Sequence, residues 1–213
     1  MNLDKAGVIA ICRKIYGEDL HFLAQTLFEG GIRFIEVPFD QQESNSLKNT
    51  SEAISSLRKS FPEMHIGAGT VINLQQLNTS YNAGAEFIIS PNIDTTIIKR
   101  TREMGMLSMP GAMTPSEILT AWDAGANYVK IFPAADLGVS YIKAVRSPIS
   151  HIPMMAVGGI SVDNFADFLK AGCCGAGIGG SLCSKQMIEE RNADSLRTTA
   201  QKLVDIFKQE KGL

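Results

Sequence analysis

Residues 123–131 read DAGANYVKI, and the same construction occurs four more times, as EGGIRFIEV (29–37), NAGAEFIIS (82–90), EMGMLSMP (103–110) and KAGCCGAGI (170–178). Each begins as the polar end of a helical stretch, passes through a glycine suited to the left-handed turn that stops a helix, and enters a short apolar run. A construction that recurs at this interval marks one supersecondary unit used repeatedly, and here the unit is strand plus helix.

The apolar runs extend the pattern along the whole chain. They are VIAICR (8–13), FIEVPF (34–39), HIGAGT (65–70), FIIS (87–90), LSMPG (107–111), YVKIFP (128–133), MMAVGG (154–159) and GAGIGG (175–180), with starts roughly 20 to 31 residues apart. Each is too short for a helix and is bounded by Gly or Pro, as a strand buried on both faces of a parallel sheet reads. Between them lie helix-period stretches such as 18–30, 46–60, 114–125 and 161–172. Thr114-Pro115 with Glu117, and Ser161 with Asn164, supply helix-start signals. Eight strands alternating with helices predict a single (β/α)8 barrel domain over 1–213. An open doubly wound sheet is the alternative, but the first strand is followed by ICRKIYG and not by G-x-G-x-x-G.

Composition removes other classes. The 213 residues carry 20 Lys+Arg against 22 Asp+Glu and are 45% hydrophobic, enough for a large core and without the basic stripe of a nucleic-acid binder. No apolar run reaches the roughly 18 residues of a membrane span. The N-terminal MNLDKAGVIAICRK lacks a cleavage-site pattern, so a cytoplasmic protein without membrane contact is expected. Cys12, Cys173, Cys174 and Cys183 form no CxxC and no zinc spacing with a histidine, and read as reduced, mostly buried thiols. His21, His65 and His151 are scattered and read as surface or loop residues.

Barrels of this type carry chemistry at the C-terminal ends of their strands, so charges inside strand runs are informative. There are three: Arg13 closing the first, Glu36 in the second and Lys130 in the sixth, while Arg33 and Glu86 fall just before their strands. Strand alternation turns Lys130 and Glu36 inward together, leaving Val129, Ile131, Ile35 and Val37 for the helix layer. Burial lowers a lysine's pKa and frees the amine, as imine chemistry requires. The competing reading is a structural Lys130–Glu36 ion pair. At the last two strands VGGIS (157–161) and GIGGSL (177–182) each place Gly-Gly at a strand end, where backbone N–H groups with a helix or helical turn behind them cradle phosphate. Thr70 and Pro110-Gly111 lie on the same rim. No carboxylate cluster calls for a metal, and no cofactor is expected.

With IEVPF around Glu36, these motifs run in order as IGAGTV (66–71), ISPNID (89–94), MPGAMTPSE (109–117), VKIFPA (129–134), VGGIS and GIGGSL. Over nearly the whole chain they resemble the 2-keto-3-deoxy-6-phosphogluconate/4-hydroxy-2-oxoglutarate (KDPG/KHG) aldolase family, including its 6-phosphogalactonate branch. The resemblance implies a metal-free class I aldolase, a homotrimer, that splits a phosphorylated keto acid into pyruvate and glyceraldehyde 3-phosphate. It makes Lys130 the Schiff-base lysine and Glu36 the general acid/base. Thr70, Pro110, Gly111 and Phe132 border the substrate, and Gly158, Gly159, Gly180 and Ser181 bind its phosphate. Many members hold the carboxylate with an arginine four residues after the acid. Here that position is Asp40, which cannot bind an anion, so the task passes to Arg13 and Asp40 becomes a loop residue. Val157 stands where gluconate-type members often carry a threonine able to bond the C4 hydroxyl, which favours cleavage of the galacto epimer at least comparably to the gluco one. A 4-hydroxy-2-oxoglutarate aldolase, a sugar-phosphate isomerase or epimerase, and a binding-only barrel are the alternatives.

Overall fold

A computed structural model describes Leu3 and residues 6–213. The strands are β1 (Val8–Ile11), β2 (Phe34–Pro38), β3 (His65–Gly69), β4 (Phe87–Ile89), β5 (Leu107–Met109), β6 (Gly111–Ala112), β7 (Val129–Ile131), β8 (Met154–Val157) and β9 (Gly175–Ile178). All pair in parallel in the order β5-β4-β3-β2-β1-β9-β8-β7-β6. β5 pairs with β4 and β6 pairs with β7, and only Pro110 lies between them. A proline has no N–H for a ladder, so one run is registered as two strands. The two halves join the ends of the sheet, which is the eight-unit barrel that the repeats predict.

The helices are α1 (Gly17–Glu29), α2 (Ser46–Ser60), α3 (Leu74–Asn82), α4 (Thr95–Glu103), α5 (Pro115–Asp123), α6 (Ala134–Arg146), α7 (Phe165–Lys170), α8 (Lys185–Glu189) and α9 (Ala193–Lys211). At the five repeated exits, Gly31, Gly84, Gly105, Gly125 and Gly172 all have φ between 80° and 102°. A side chain in such left-handed backbone costs about 1–2 kcal/mol, so the glycine that reads as punctuation in the sequence is a conformational requirement. Helix starts are less uniform. Thr114 and Glu117 form the expected reciprocal capping box on α5. Ser161 does not start α7, which begins only at Phe165. Instead the Asn164 side chain accepts from the Ser161 N–H at 2.9 Å, making a turn first.

Alternation sorts the strand residues into two apolar layers. Val8, Ala10, Ile35, Val37, Ile66, Ala68, Val129 and Ile131 belong to the cluster between barrel and helices. Ile9, Phe34, Phe87, Ile89, Met109, Tyr128 and Met155 fill the barrel interior, with Leu3 packed among them. The N-terminal face is held by polar contacts: Glu86 accepts from Arg58 and meets His65 Nδ1 at 2.7 Å. Glu86 therefore sits on the stabilising face, as its position before the strand implies. One interior layer above Phe34 and Tyr128, the same inward parity reaches Glu36 and Lys130, and there the packing changes from apolar to ionisable.

Candidate active site

A cavity of about 460 Å³ opens at the C-terminal ends of the strands, with Glu36 and Lys130 in its wall. Glu36 is 2% exposed, and its Oε2 has no hydrogen-bond partner. Burial raises its pKa, against the opposing charges of Lys130 and Arg13. Lys130 is half-buried, with Nζ 4.8 Å from the centroid of the Phe132 ring. Burial lowers its pKa, Glu36 works in the opposite direction, and Arg13 adds to the lowering. Each group thus feels the other's charge, yet they make no direct ion pair within 4.0 Å among the described residues. The structural-pair reading loses its basis. What stands in the cavity is a carboxyl whose pKa burial raises, opposite an amine whose pKa burial lowers, a combination suited to proton transfer and carbonyl attack.

The rim places the cation differently from the sequence expectation. β1 ends at Ile11, and Arg13 lies in the exposed turn beyond it while still lining the cavity. The next residue, Lys14, has φ 57° and pairs with Asp40 at 2.6 Å. Lys14 holds the Asp40 carboxyl below its ordinary range, together with the backbone N–H of Gln42. Asp40 is a loop residue with its own counter-ion, and Arg13 is left facing the cavity. Cys12, just before it, is buried, and the Cys183 thiol followed by burial keeps it well above the ordinary thiol range. Cys173, pushed up to about 12 by burial, is equally protonated. Cys12, Cys173 and Cys183 are free thiols.

Thr70 lines the cavity with φ 55°, a conformation rare for a β-branched residue. Its carbonyl accepts from Gln41 Nε2 at 3.1 Å. Gln41 Oε1 in turn accepts from Gln76, whose own Oε1 takes the Ile72 N–H. Strained backbone persists only where its surroundings hold it, and this pair of glutamines provides the brace. Nothing in the sequence pointed to Gln41 or Gln76, because they lie 35 residues apart, one in the loop after β2 and the other in the first turn of α3.

The two Gly-Gly turns meet across the cavity from Glu36. Gly158 and Gly159 have φ 95° and 72°, and a Cβ on Gly159 would lie 2.5 Å from that of Ala135. Ser181 Oγ donates to the Ile160 carbonyl at 2.6 Å, tying one turn to the other. Among the described residues, none accepts from the backbone N–H of Gly159, Gly180 or Ser181. Such N–H groups at a concave turn suit an anion. The helices that follow are short and begin later, α7 at Phe165 and α8 at Lys185, so the cradle is made of turn amides and not of helix ends.

Val157 and Phe132 line the same cavity, together with Ile11, Pro91 and Ser161, which the sequence motifs did not single out as contacts. Pro110 and Gly111 sit outside it. Pro110 is buried and offers its carbonyl to the Lys130 N–H at 2.9 Å. Gly111 lines an adjoining cavity of about 740 Å³ that shares Pro91 and Phe132 with the first. These two residues register Lys130 from the neighbouring strand. No group of three or more His, Cys, Asp or Glu that could hold a metal ion occurs among the described residues, and no helix there is long and apolar enough to cross a membrane.

The comparisons with known proteins agree with this geometry. The family model for KDPG and KHG aldolases matches residues 1–199. The 2-dehydro-3-deoxy-6-phosphogalactonate aldolase of Escherichia coli K12 is 33% identical over 89% of this chain and 90% of its own length. The KHG/KDPG aldolase of the same organism is 35% identical over 86% and 84%. The KDPG aldolase of Legionella pneumophila, solved with pyruvate captured as a covalent carbinolamine, superposes with a TM-score of 0.84 at 28% identity, covering 94% of this chain and 95% of that one. A barrel with one strand-borne lysine, one buried carboxyl and two glycine turns, matched along nearly its whole length, belongs to the KDPG and KHG aldolase family.

Proposed function

We propose that the protein is a class I aldolase that cleaves a 2-keto-3-deoxy-6-phospho sugar acid to pyruvate and D-glyceraldehyde 3-phosphate. The observation that carries this reading is the half-buried Lys130 amine and the buried Glu36 carboxyl in the wall of one cavity, their pKa values shifted towards each other by burial. The Lys130 amine adds to the C2 carbonyl, and the carbinolamine loses water to a protonated imine. Glu36, directly or through a water, takes the C4 hydroxyl proton. The C3–C4 bond breaks, its electron pair moves into the enamine, and the aldehyde leaves. Protonation at C3 and hydrolysis then return pyruvate and the free amine. Arg13 faces the substrate carboxylate, and the turns at Gly158-Gly159 and Gly180-Ser181 take the phosphate. Those turns favour a phosphorylated substrate over 4-hydroxy-2-oxoglutarate alone. A sugar-phosphate isomerase would use the turns but would leave Lys130 idle.

The homotrimer belongs to the same proposal. It is supported by Leu74, Met113 and Phe132, each 41–46% exposed, around the cavities that share Thr95, Pro91 and Phe132. Exposed apolar side chains grouped in this way mark association surfaces. Sedimentation should give three chains per particle and Met113→Asp should shift it to smaller species; a wild-type monomer would refute the assembly.

Pyruvate with borohydride should inactivate the enzyme and leave one adduct on Lys130, and Lys130→Ala should abolish turnover. An adduct on another lysine in the digest would overturn the mechanism.

Arg13→Ala should raise KM roughly tenfold, the worth of one charged hydrogen bond at about 1.5 kcal/mol. Its charge favours the ionised form of Glu36 and the neutral form of Lys130. Removing it therefore raises both pKa values, and the acid limb of the kcat/KM profile, below which Glu36 is protonated and Lys130 charged, should move to higher pH. An unmoved or acid-shifted profile would place Arg13 outside the site.

Val157 offers no hydrogen bond to the C4 hydroxyl, so the galacto epimer should be cleaved at least comparably to the gluco epimer. Val157→Thr should improve kcat/KM for the gluco epimer by roughly 2–13-fold, as one hydrogen bond of about 0.5–1.5 kcal/mol allows. A wild-type gluco preference above about a hundredfold would show that another group reads C4.

A further inference from the structure

The inward positions of β3 alternate His65, Gly67, Gly69, so two of its three interior sites have no side chain. Each glycine is occupied from a neighbouring strand. Gly67 is in register with Phe87 of β4, and a Cβ on it would lie 2.5 Å from Phe87 Cγ. Gly67 is also in register with Glu36 of β2, but its place is taken by the Phe87 ring. Glu36 leans one interior step further towards the cavity. A Cβ on Gly69 would lie 2.5 Å from Glu36 Cδ and 2.7 Å from Cγ, with Oε1 closer still. The charged groups that act on that carboxyl are Lys130 from β7 and Arg13 from the turn after β1, while the Cys12 thiol, which the carboxyl influences, lies in the layer between barrel and helices.

We propose that Gly69 is a positioning residue for the aldolase reaction: its missing side chain is the slot in which the Glu36 carboxyl lies, and the Phe87 ring over Gly67 is what keeps Glu36 out of the deeper site. This rests on the reading of Glu36 as the acid/base. The atoms that a Cβ at Gly69 would meet belong to the far part of a flexible side chain and not to backbone. An added methyl group displaces the carboxyl towards the open cavity and leaves the barrel intact. The displaced carboxyl is better hydrated, so it ionises at lower pH.

Gly69→Ala tests this through kcat and KM for cleavage, the pH profile, pyruvate C3 deuterium exchange and borohydride trapping. Expected are a fall in kcat of about a hundredfold or more, the scale of a lost acid/base, with KM within about threefold, slowed C3 exchange, and the acid limb moved to lower pH. Trapping on Lys130 should persist. In a Glu36→Gln background the same substitution should cost less than about threefold further, since interacting residues are not additive. Wild-type kcat with an unmoved profile in Gly69→Ala, while Glu36→Gln is inactive, overturns the slot alone; a fully active Glu36→Gln overturns the acid/base reading and the slot with it. Equal fold losses from Gly69→Ala in both backgrounds also overturn the slot. Should Gly69→Ala not fold, Glu36→Ala/Gly69→Ala should recover soluble, cooperatively melting protein, and failure to recover it would count against the proposal.

Discussion

The constraint on which the rest depends is the burial of two ionisable side chains, Glu36 and Lys130, one layer above an apolar barrel interior. Burial penalises the charged form of each, raising the carboxyl and lowering the amine, while their mutual attraction pulls both back. Because they do not touch, the attraction does not cancel the penalty, and both stay within reach of a change of protonation state. A tight pair would have locked both charges, and two exposed groups would have titrated at their ordinary values. The cavity between them makes the combination chemically useful.

Much of the remaining architecture keeps that layer in place. Phe34, Phe87, Tyr128 and Met155 plug the barrel beneath it, and the pair opens to the cavity on the C-terminal side. The Pro110 carbonyl registers the Lys130 backbone from the neighbouring strand, and the glycines of β3 leave room for an aromatic ring and then for a carboxyl. At the rim Lys14 neutralises Asp40, and Arg13 remains as the cation that faces the cavity. The strained Thr70 is held by Gln41 and Gln76. Thr70, a β-branched residue at φ 55°, lies at this end of the barrel, as strained backbone does where a site must be preorganised.

The relationship to both 6-phosphogalactonate and KHG/KDPG aldolases, at 33% and 35% identity, fits a site whose core chemistry is common and whose discrimination lies at its edge. In the proposed mechanism, imine formation and proton transfer use the inner pair, and the C4 configuration is read near Val157 by polar contacts each worth about 1 kcal/mol.

The barrel was legible in the sequence because its causes are local. A glycine at positive φ ends a helix wherever it occurs, and alternation along YVKIFP and FIEVPF assigns faces through chirality alone, so the exits, the strand starts and the inward parity of Lys130 and Glu36 follow without tertiary information. Membership in the aldolase family was legible for a similar reason, since its motifs are contiguous. What only the tertiary structure decided is set by contacts between distant segments. Arg13 lies in an exposed turn and not at a strand end, because β1 stops at Ile11. Pro110 and Gly111 lie on the strand beside Lys130, with the Pro110 carbonyl bonded to the Lys130 N–H. Asp40 finds its partner in Lys14, 26 residues away. Gly69 reads as one more small residue in GAGTV until Phe87, from the next strand, is seen to fill the neighbouring place. Local stereochemistry can be read from one residue and its neighbours, whereas the height of a carboxyl inside a barrel depends on which side chains from three strands compete for the same space.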